Sequence, residues 1–107
     1  MRELEIAALE VARQLASPEL VLLDVREPWE VATAKIDGSM NIPMGEIASR
    51  AFEQLNPEMH IVVYCHSGIR SLHVAVWLRQ QGFVNAQSMR GGIDAWSREI
   101  DPRVLRY

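Results

Sequence analysis

Two short apolar runs constrain the architecture of this chain more than any other feature. Leu20–Asp24 (LVLLD) and residues 60–65 (HIVVYC) are nearly continuous hydrophobic stretches rich in branched side chains, without the alternation of a half-exposed strand. Strands buried on both faces belong to parallel sheets covered by helices, and parallel neighbours require long crossover connections. The intervening sequence supplies them. Helical segments are expected over residues 7–16, 28–34, 44–55, 69–81 and 92–98, with shorter strand candidates at 39–42 and 86–89. Strand and helix alternating in this way predict an α/β domain with a mainly parallel sheet and right-handed crossovers.

The element boundaries carry their own chemistry. Pro28 suits a first helical turn, where its missing N–H is harmless, and Glu27 and Glu30 are placed to complement the positive end of that helix dipole. Gly82 follows VAVWLRQQ where a left-handed cap is wanted, and Phe83 can then pack back on the helix. Asp37-Gly38 and Gly91-Gly92 mark turns, the first before a strand and the second before a helix.

At 107 residues with 49% hydrophobic content, the chain is expected to form one domain over 1–107, with a core that needs no metal or disulfide staple. Its one cysteine, Cys65, excludes an internal disulfide and an internal dithiol redox pair. A formal charge of −3 has the wrong sign for broad phosphate-backbone binding, so no nucleic-acid partner is expected. The start MRELEIAALE places Glu3 and Glu5 where a signal peptide would run apolar, and the longest apolar stretches, IVVYC and VAVWL, are five residues. No membrane span or leader is expected. The reading is a cytoplasmic protein, since a free thiol survives in a reducing compartment.

Sites in parallel sheets gather where the C-terminal ends of strands meet the following loops. Cys65 ends the most convincing strand, and His66-Ser67-Gly68-Ile69-Arg70-Ser71 follows before a helix. Backbone N–H donors and a helix dipole favour a thiolate and bind anions at such a position. Gly68 lets the loop curl so that donors converge on the sulfur or on what it carries. Arg70 can grip an oxyanion with its planar fork or brace the loop from outside. A lone cysteine ending an apolar strand is more often an inert small hydrophobe. The Ser-Gly turn closed by Arg reverses those odds.

LLDVREPWEV, IDGSMNIPM, CHSGIRS and GFVNAQSMRGGIDAW, in this order and at this spacing, resemble the motifs of a single-domain rhodanese, a sulfurtransferase module, over about Val21 to Trp96. The resemblance implies a five-stranded, mostly parallel sheet flanked by helices on both faces. It implies Cys65 as the residue that takes up sulfur as a persulfide, with the loop His66, Ser67, Gly68, Ile69 and Arg70 binding the substrate. Asp24 and Arg26, in DVRE, match the family's signature there. Asp24 is expected either beneath the catalytic loop or, more simply, in an ion pair or turn cap.

The related cell-cycle phosphatases carry Cys-x5-Arg, whereas Cys65 and Arg70 enclose four residues. A shorter loop makes a tighter ring of donors, sized for one sulfur rather than a phosphate. The expected reaction therefore moves sulfane sulfur from a donor such as thiosulfate to cyanide, a thiol or a protein, with no metal and no organic cofactor. A persulfide carrier that docks a partner protein is the alternative, and a cysteine phosphatase or arsenate reductase is opposed by the loop length.

The remaining candidates are weaker. His66 stands where many relatives have Arg, which leaves the loop with less fixed positive charge. Lys35 reads as a solvated helix-end residue or a rim cation. His60 and His73 are scattered and show no metal-ligand spacing. Ser67 lacks a nucleophile elbow, and Gly91-Gly92 lacks a nucleotide-binding pattern. Trp29, Trp77 and Trp96 read as packing residues, with Trp29 and Trp96 also candidates for lining a pocket entrance. The segment DPRVLRY (101–107) either wraps the domain or docks a partner.

Overall fold

A computed structural model describes residues 2–107. Five strands form one sheet: β1 (Glu5–Ile6), β2 (Leu20–Asp24), β3 (Met40–Asn41), β4 (His60–Tyr64) and β5 (Gln87–Met89). Their order across the sheet is β1-β5-β4-β2-β3, and every pairing is parallel. The helices are α1 (Ala8–Gln14), α2 (Pro28–Thr33), α3 (Ile47–Gln54), α4 (Ile69–Gln80) and α5 (Gly92–Glu99), with a 3-10 turn at Met44–Glu46 leading into α3. No helix of the described residues is long and apolar enough to cross a membrane.

The hydrophobic runs explain the layers. Successive side chains of β4 point to opposite faces, so Ile61 and Val63 join one apolar cluster while Val62 and Tyr64 join another. The first cluster packs Ile47 and Ala51 of α3 and Val74, Ala75 and Leu78 of α4 against the sheet. The second is closed by Ala8 and Val11 of α1 with Ile93 and Trp96 of α5. Both faces of β4 are therefore dry, which is why its sequence shows no alternation.

Some expected boundaries contract. β4 ends at Tyr64 and leaves Cys65 as the first residue of the loop. The strand expected at 39–42 is only Met40–Asn41; the Ile42 N–H makes the last bond to β2, donating to the Asp24 carbonyl at 2.9 Å, and Pro43 then has no N–H to continue the ladder. The helix expected over 44–55 begins instead with the 3-10 turn. The α4 terminus follows the expected chemistry: Gly82 has φ +99°, its N–H donates to the Arg79 carbonyl at 3.2 Å and that of Phe83 to Leu78 at 3.0 Å. Phe83 then lies buried against Leu78 in the first cluster. β1, which the sequence pattern does not announce, adds an edge by pairing Glu5 and Ile6 with Ser88 and Met89.

Candidate active site

The chain leaves β4 at the centre of the sheet and turns at Gly68 into α4. Gly68 has φ +104°, and a Cβ on it would stand 3.1 Å from the backbone nitrogen of Gly91. Glycine is what lets the loop bend this sharply against the turn before α5. The Gly68 N–H donates to Cys65 Sγ at 3.1 Å and the Ser71 N–H at 3.3 Å. The Ser71 hydroxyl lies 3.4 Å from the sulfur and 2.7 Å from the hydroxyl of Ser88 on β5. Cys65, Ser71 and Ser88 are all buried, with the cysteine 1% exposed. Two backbone donors and one hydroxyl thus face a single sulfur at the positive end of a helix.

The opposite side of the loop is also fixed. The N–H groups of Ile93 and Asp94 donate to the carbonyls of Cys65 and His66 at 2.9 and 3.1 Å. These are first-turn donors of α5, which have no partner within their own helix. Gly92 makes this approach possible, since a Cβ there would stand 2.4 Å from the Cys65 carbonyl oxygen. The loop carbonyls are held by α5, and N–H groups are left to turn toward the sulfur.

Arg70 is engaged in a bidentate ion pair. Its Nη1 and Nη2 reach the two carboxylate oxygens of Glu30 at 2.8 and 2.9 Å. Glu30 stands in the first turn of α2, as expected, where its side chain accepts from the Glu27 N–H in a capping box, and it is also buried. The Arg70 guanidinium, and the Glu27 N–H that donates to Glu30 Oε1 at 3.0 Å, hold its carboxyl down at about 2 against the opposing effect of burial.

Asp24 and Arg26 make the ion pair. Arg26 Nε and Nη2 donate to Asp24 Oδ1 and Oδ2 at 2.9 and 2.8 Å, and both residues are fully buried. The remaining donors of Arg26 go to the carbonyls of Glu30 and Ala34 and to the Tyr107 hydroxyl. Asp24 contributes no hydrogen bond to the loop after β4; the link runs from Arg26 through Tyr107 and Glu30 to Arg70. Asn41 ties the end of β3 to this corner, donating to the carbonyls of Asp24 and Arg26.

The other sequence candidates separate cleanly. Ser67 and Ile69 face solvent, Ile69 in the first turn of α4. His66 is partly buried with its ring stacked on Tyr107, and Lys35 is exposed beyond α2. Trp96 is buried in the second apolar cluster, whereas Trp29 is exposed and meets Tyr107 edge-on. Glu30, Ser71, Ser88 and Tyr107 complete the site; all four lie in segments noted in the sequence, but none was assigned there a part in holding the loop. No group of three or more His, Cys, Asp or Glu side chains among the described residues is arranged to hold a metal ion.

Residues 7–99 match the family described as the rhodanese-like domain. A protein of Allochromatium vinosum named sulfurtransferase is 39% identical over 101 residues, covering 94% of each chain. A chloroplast protein of Arabidopsis thaliana with rhodanese-like and PpiC domains is also 39% identical, over 92 residues that are 83% of this chain and 31% of that protein. The crystal structure of a rhodanese-related protein of Thermoplasma volcanium superposes with a TM-score of 0.84 at 30% identity, covering 98% of this chain and all of the other. The loop, the all-parallel sheet and these likenesses agree: the chain belongs to the rhodanese-like domain family.

Proposed function

We propose that this protein is a sulfurtransferase of the thiosulfate sulfurtransferase type, working through a persulfide on Cys65. The observation that carries this reading is the convergence of the Gly68 and Ser71 N–H groups and the Ser71 hydroxyl on one sulfur atom. The Cys65 thiolate attacks the outer sulfur of thiosulfate, the S–S bond breaks, and sulfite leaves with the bonding pair. Cys65–S–S⁻ remains. An acceptor such as cyanide or a thiol then attacks the outer sulfur, and the Cys65 thiolate departs unchanged. The same donors stabilise the anion before and after each half-reaction, which predicts ping-pong kinetics. The backbone from His66 to Ser71 is the cradle, and Arg26, paired with Asp24, reaches it through Tyr107 and Glu30.

A second reading keeps the persulfide but changes the partner. The Arg70 charge is compensated by Glu30, and Cys65 is 1% exposed, so the loop offers little free positive charge to a small anionic donor. This favours a persulfide carrier charged by a donor protein or emptied by an acceptor protein, in the cytoplasm or another compartment that keeps thiols reduced.

Intact-protein mass spectrometry tests both. Thiosulfate should add the mass of one sulfur to the wild-type chain, cyanide should remove it as thiocyanate, and Cys65→Ser should show neither change. Saturation by a protein donor far below the thiosulfate requirement would favour the carrier. Uptake from no sulfane donor of either kind would overturn the sulfurtransferase reading.

A further inference from the structure

We propose that Tyr107 is a positioning residue for sulfur transfer, holding His66 and the peptide after Cys65 so that the loop N–H groups face the sulfur. The inference rests on the sulfurtransferase reading above. Tyr107 lies outside the stretch 7–99 that matches the family. The segment after α5 folds back along the domain, with the Ser97 hydroxyl donating to the Val104 carbonyl and with Val104 and Tyr107 packed against the second apolar cluster.

Residues 106 and 107 hold His66 in two ways. The Tyr107 ring stacks on the imidazole, with centroids 4.2 Å apart and planes inclined by 14°. Arg106 Nε donates to Asp94 Oδ1 at 3.1 Å, and the Asp94 N–H donates to the His66 carbonyl at 3.1 Å. The residue following Cys65 is therefore fixed at its side chain by Tyr107 and at its peptide by Asp94, which Arg106 steadies.

The phenol hydroxyl connects this grip to the ion-pair corner. It donates to Glu30 Oε2 at 2.8 Å and accepts from Arg26 Nη1 at 2.9 Å. Glu30 in turn holds Arg70 at the other end of the loop. A segment that merely covered apolar surface would need no hydroxyl at the junction of two buried charges. Through Tyr107, one side chain bears on both ends of the Cys65–Arg70 loop.

The test compares Tyr107→Phe, which keeps the ring and removes the hydroxyl, with Tyr107→Ala and with Arg103→Ala, whose side chain pairs with Asp101 on the exposed surface. Tyr107→Phe should lower kcat for persulfide formation about tenfold while KM stays within about twofold, since the loss falls on transition-state charge rather than on donor binding. Hydrogen exchange of the Asp94 amide should speed about fivefold or more, with β4 amides unchanged. Tyr107→Ala should exceed both effects, and Arg103→Ala should show neither. A Tyr107→Phe protein whose kcat and Asp94 exchange both match wild type, whatever its melting temperature, overturns the proposal, as does faster exchange spread evenly over β4. Should wild type take up no sulfur, the sulfurtransferase reading fails, and exchange at Asp94 alone then decides whether Tyr107 fixes the loop.

Discussion

Arg70 meets Glu30 through both prongs of its guanidinium, tying the first turn of α4 to the first turn of α2. Glu30 is buried while the Arg70 side chain is 34% exposed, so solvent screens part of the attraction. Replacing the carboxylate with an amide should cost about 1–2 kcal/mol in Glu30→Gln, measured as a shift in urea midpoint at neutral pH.

The same pair sets an acid limit. The Glu30 carboxyl is depressed from 4.5 to about 2, foremost by the Arg70 hydrogen bonds. A depressed carboxylate contributes stability above its unfolded value, and that contribution is lost as pH falls from about 4.5 toward about 2. Wild type should therefore lose more stability over that window than Glu30→Gln does, with the two denaturation curves converging at the acid end.

Ser71 meets the sulfur twice: its N–H donates to Sγ, and its hydroxyl oxygen accepts from the thiol, a contact that the hydroxyl can reverse to donate once the sulfur is a thiolate, and only the hydroxyl can be removed by substitution. Ser71→Ala should slow persulfide formation about fivefold, the equivalent of one hydrogen bond of about 1 kcal/mol. Stopped-flow measurement of sulfite release reads this step directly. A fall confined to the cyanide half-reaction would place the hydroxyl elsewhere in the cycle.

Two glycines offer a controlled contrast. A Cβ at Gly92 would stand 2.4 and 2.5 Å from the carbonyl oxygens of Cys65 and His66, both backbone atoms that cannot swing away. Gly82 shares the left-handed conformation but has open space around it. Gly82→Ala should cost about 1 kcal/mol, and Gly92→Ala about 3 kcal/mol or more together with loss of sulfur uptake. Denaturant midpoints and mass spectrometry on the two variants check the pair.

His60, at the far end of β4, is buried and bonded through Nε2 to Gln87 Oε1 at 2.7 Å. Burial lowers its pKa from 6.5, partly offset by the Gln87 hydrogen bond. As pH falls below about 6.5 the unfolded chain takes up this proton before the folded one, so stability declines on acidification. Urea midpoints at about pH 8 and about pH 5.5 should differ in wild type by more than in His60→Gln.

The sheet and the cysteine loop were legible because each is written locally. β2 and β4 are contiguous apolar runs, and Cys65 to Ser71 is one short segment between a strand and a helix. The left-handed cap at Gly82 follows from its own neighbours in the same way. What escaped depends on pairings distant along the chain. Glu30 has the address of a helix-start acid and becomes a buried counter-ion only because Arg70 arrives from another element. β1 is two residues long, too short to show a period, and is a strand only because β5 lies beside it. Tyr107 lies in the segment expected to wrap the domain or dock a partner, but its hydroxyl partners Arg26 and Glu30 lie near the other end of the chain, so nothing local marks that contact.

The hold of α5 on the loop carbonyls bears on how temperature should affect turnover. With the carbonyls of Cys65 and His66 held by Ile93 and Asp94, the loop is tied down on the side away from the sulfur, and under the proposed persulfide cycle it should move little when the sulfur gains or loses a passenger. Its reorganisation was completed when the domain folded. The activation barrier should then consist mainly of breaking and making S–S bonds, with little contribution from loop motion, and both half-reactions should start from one and the same cradle.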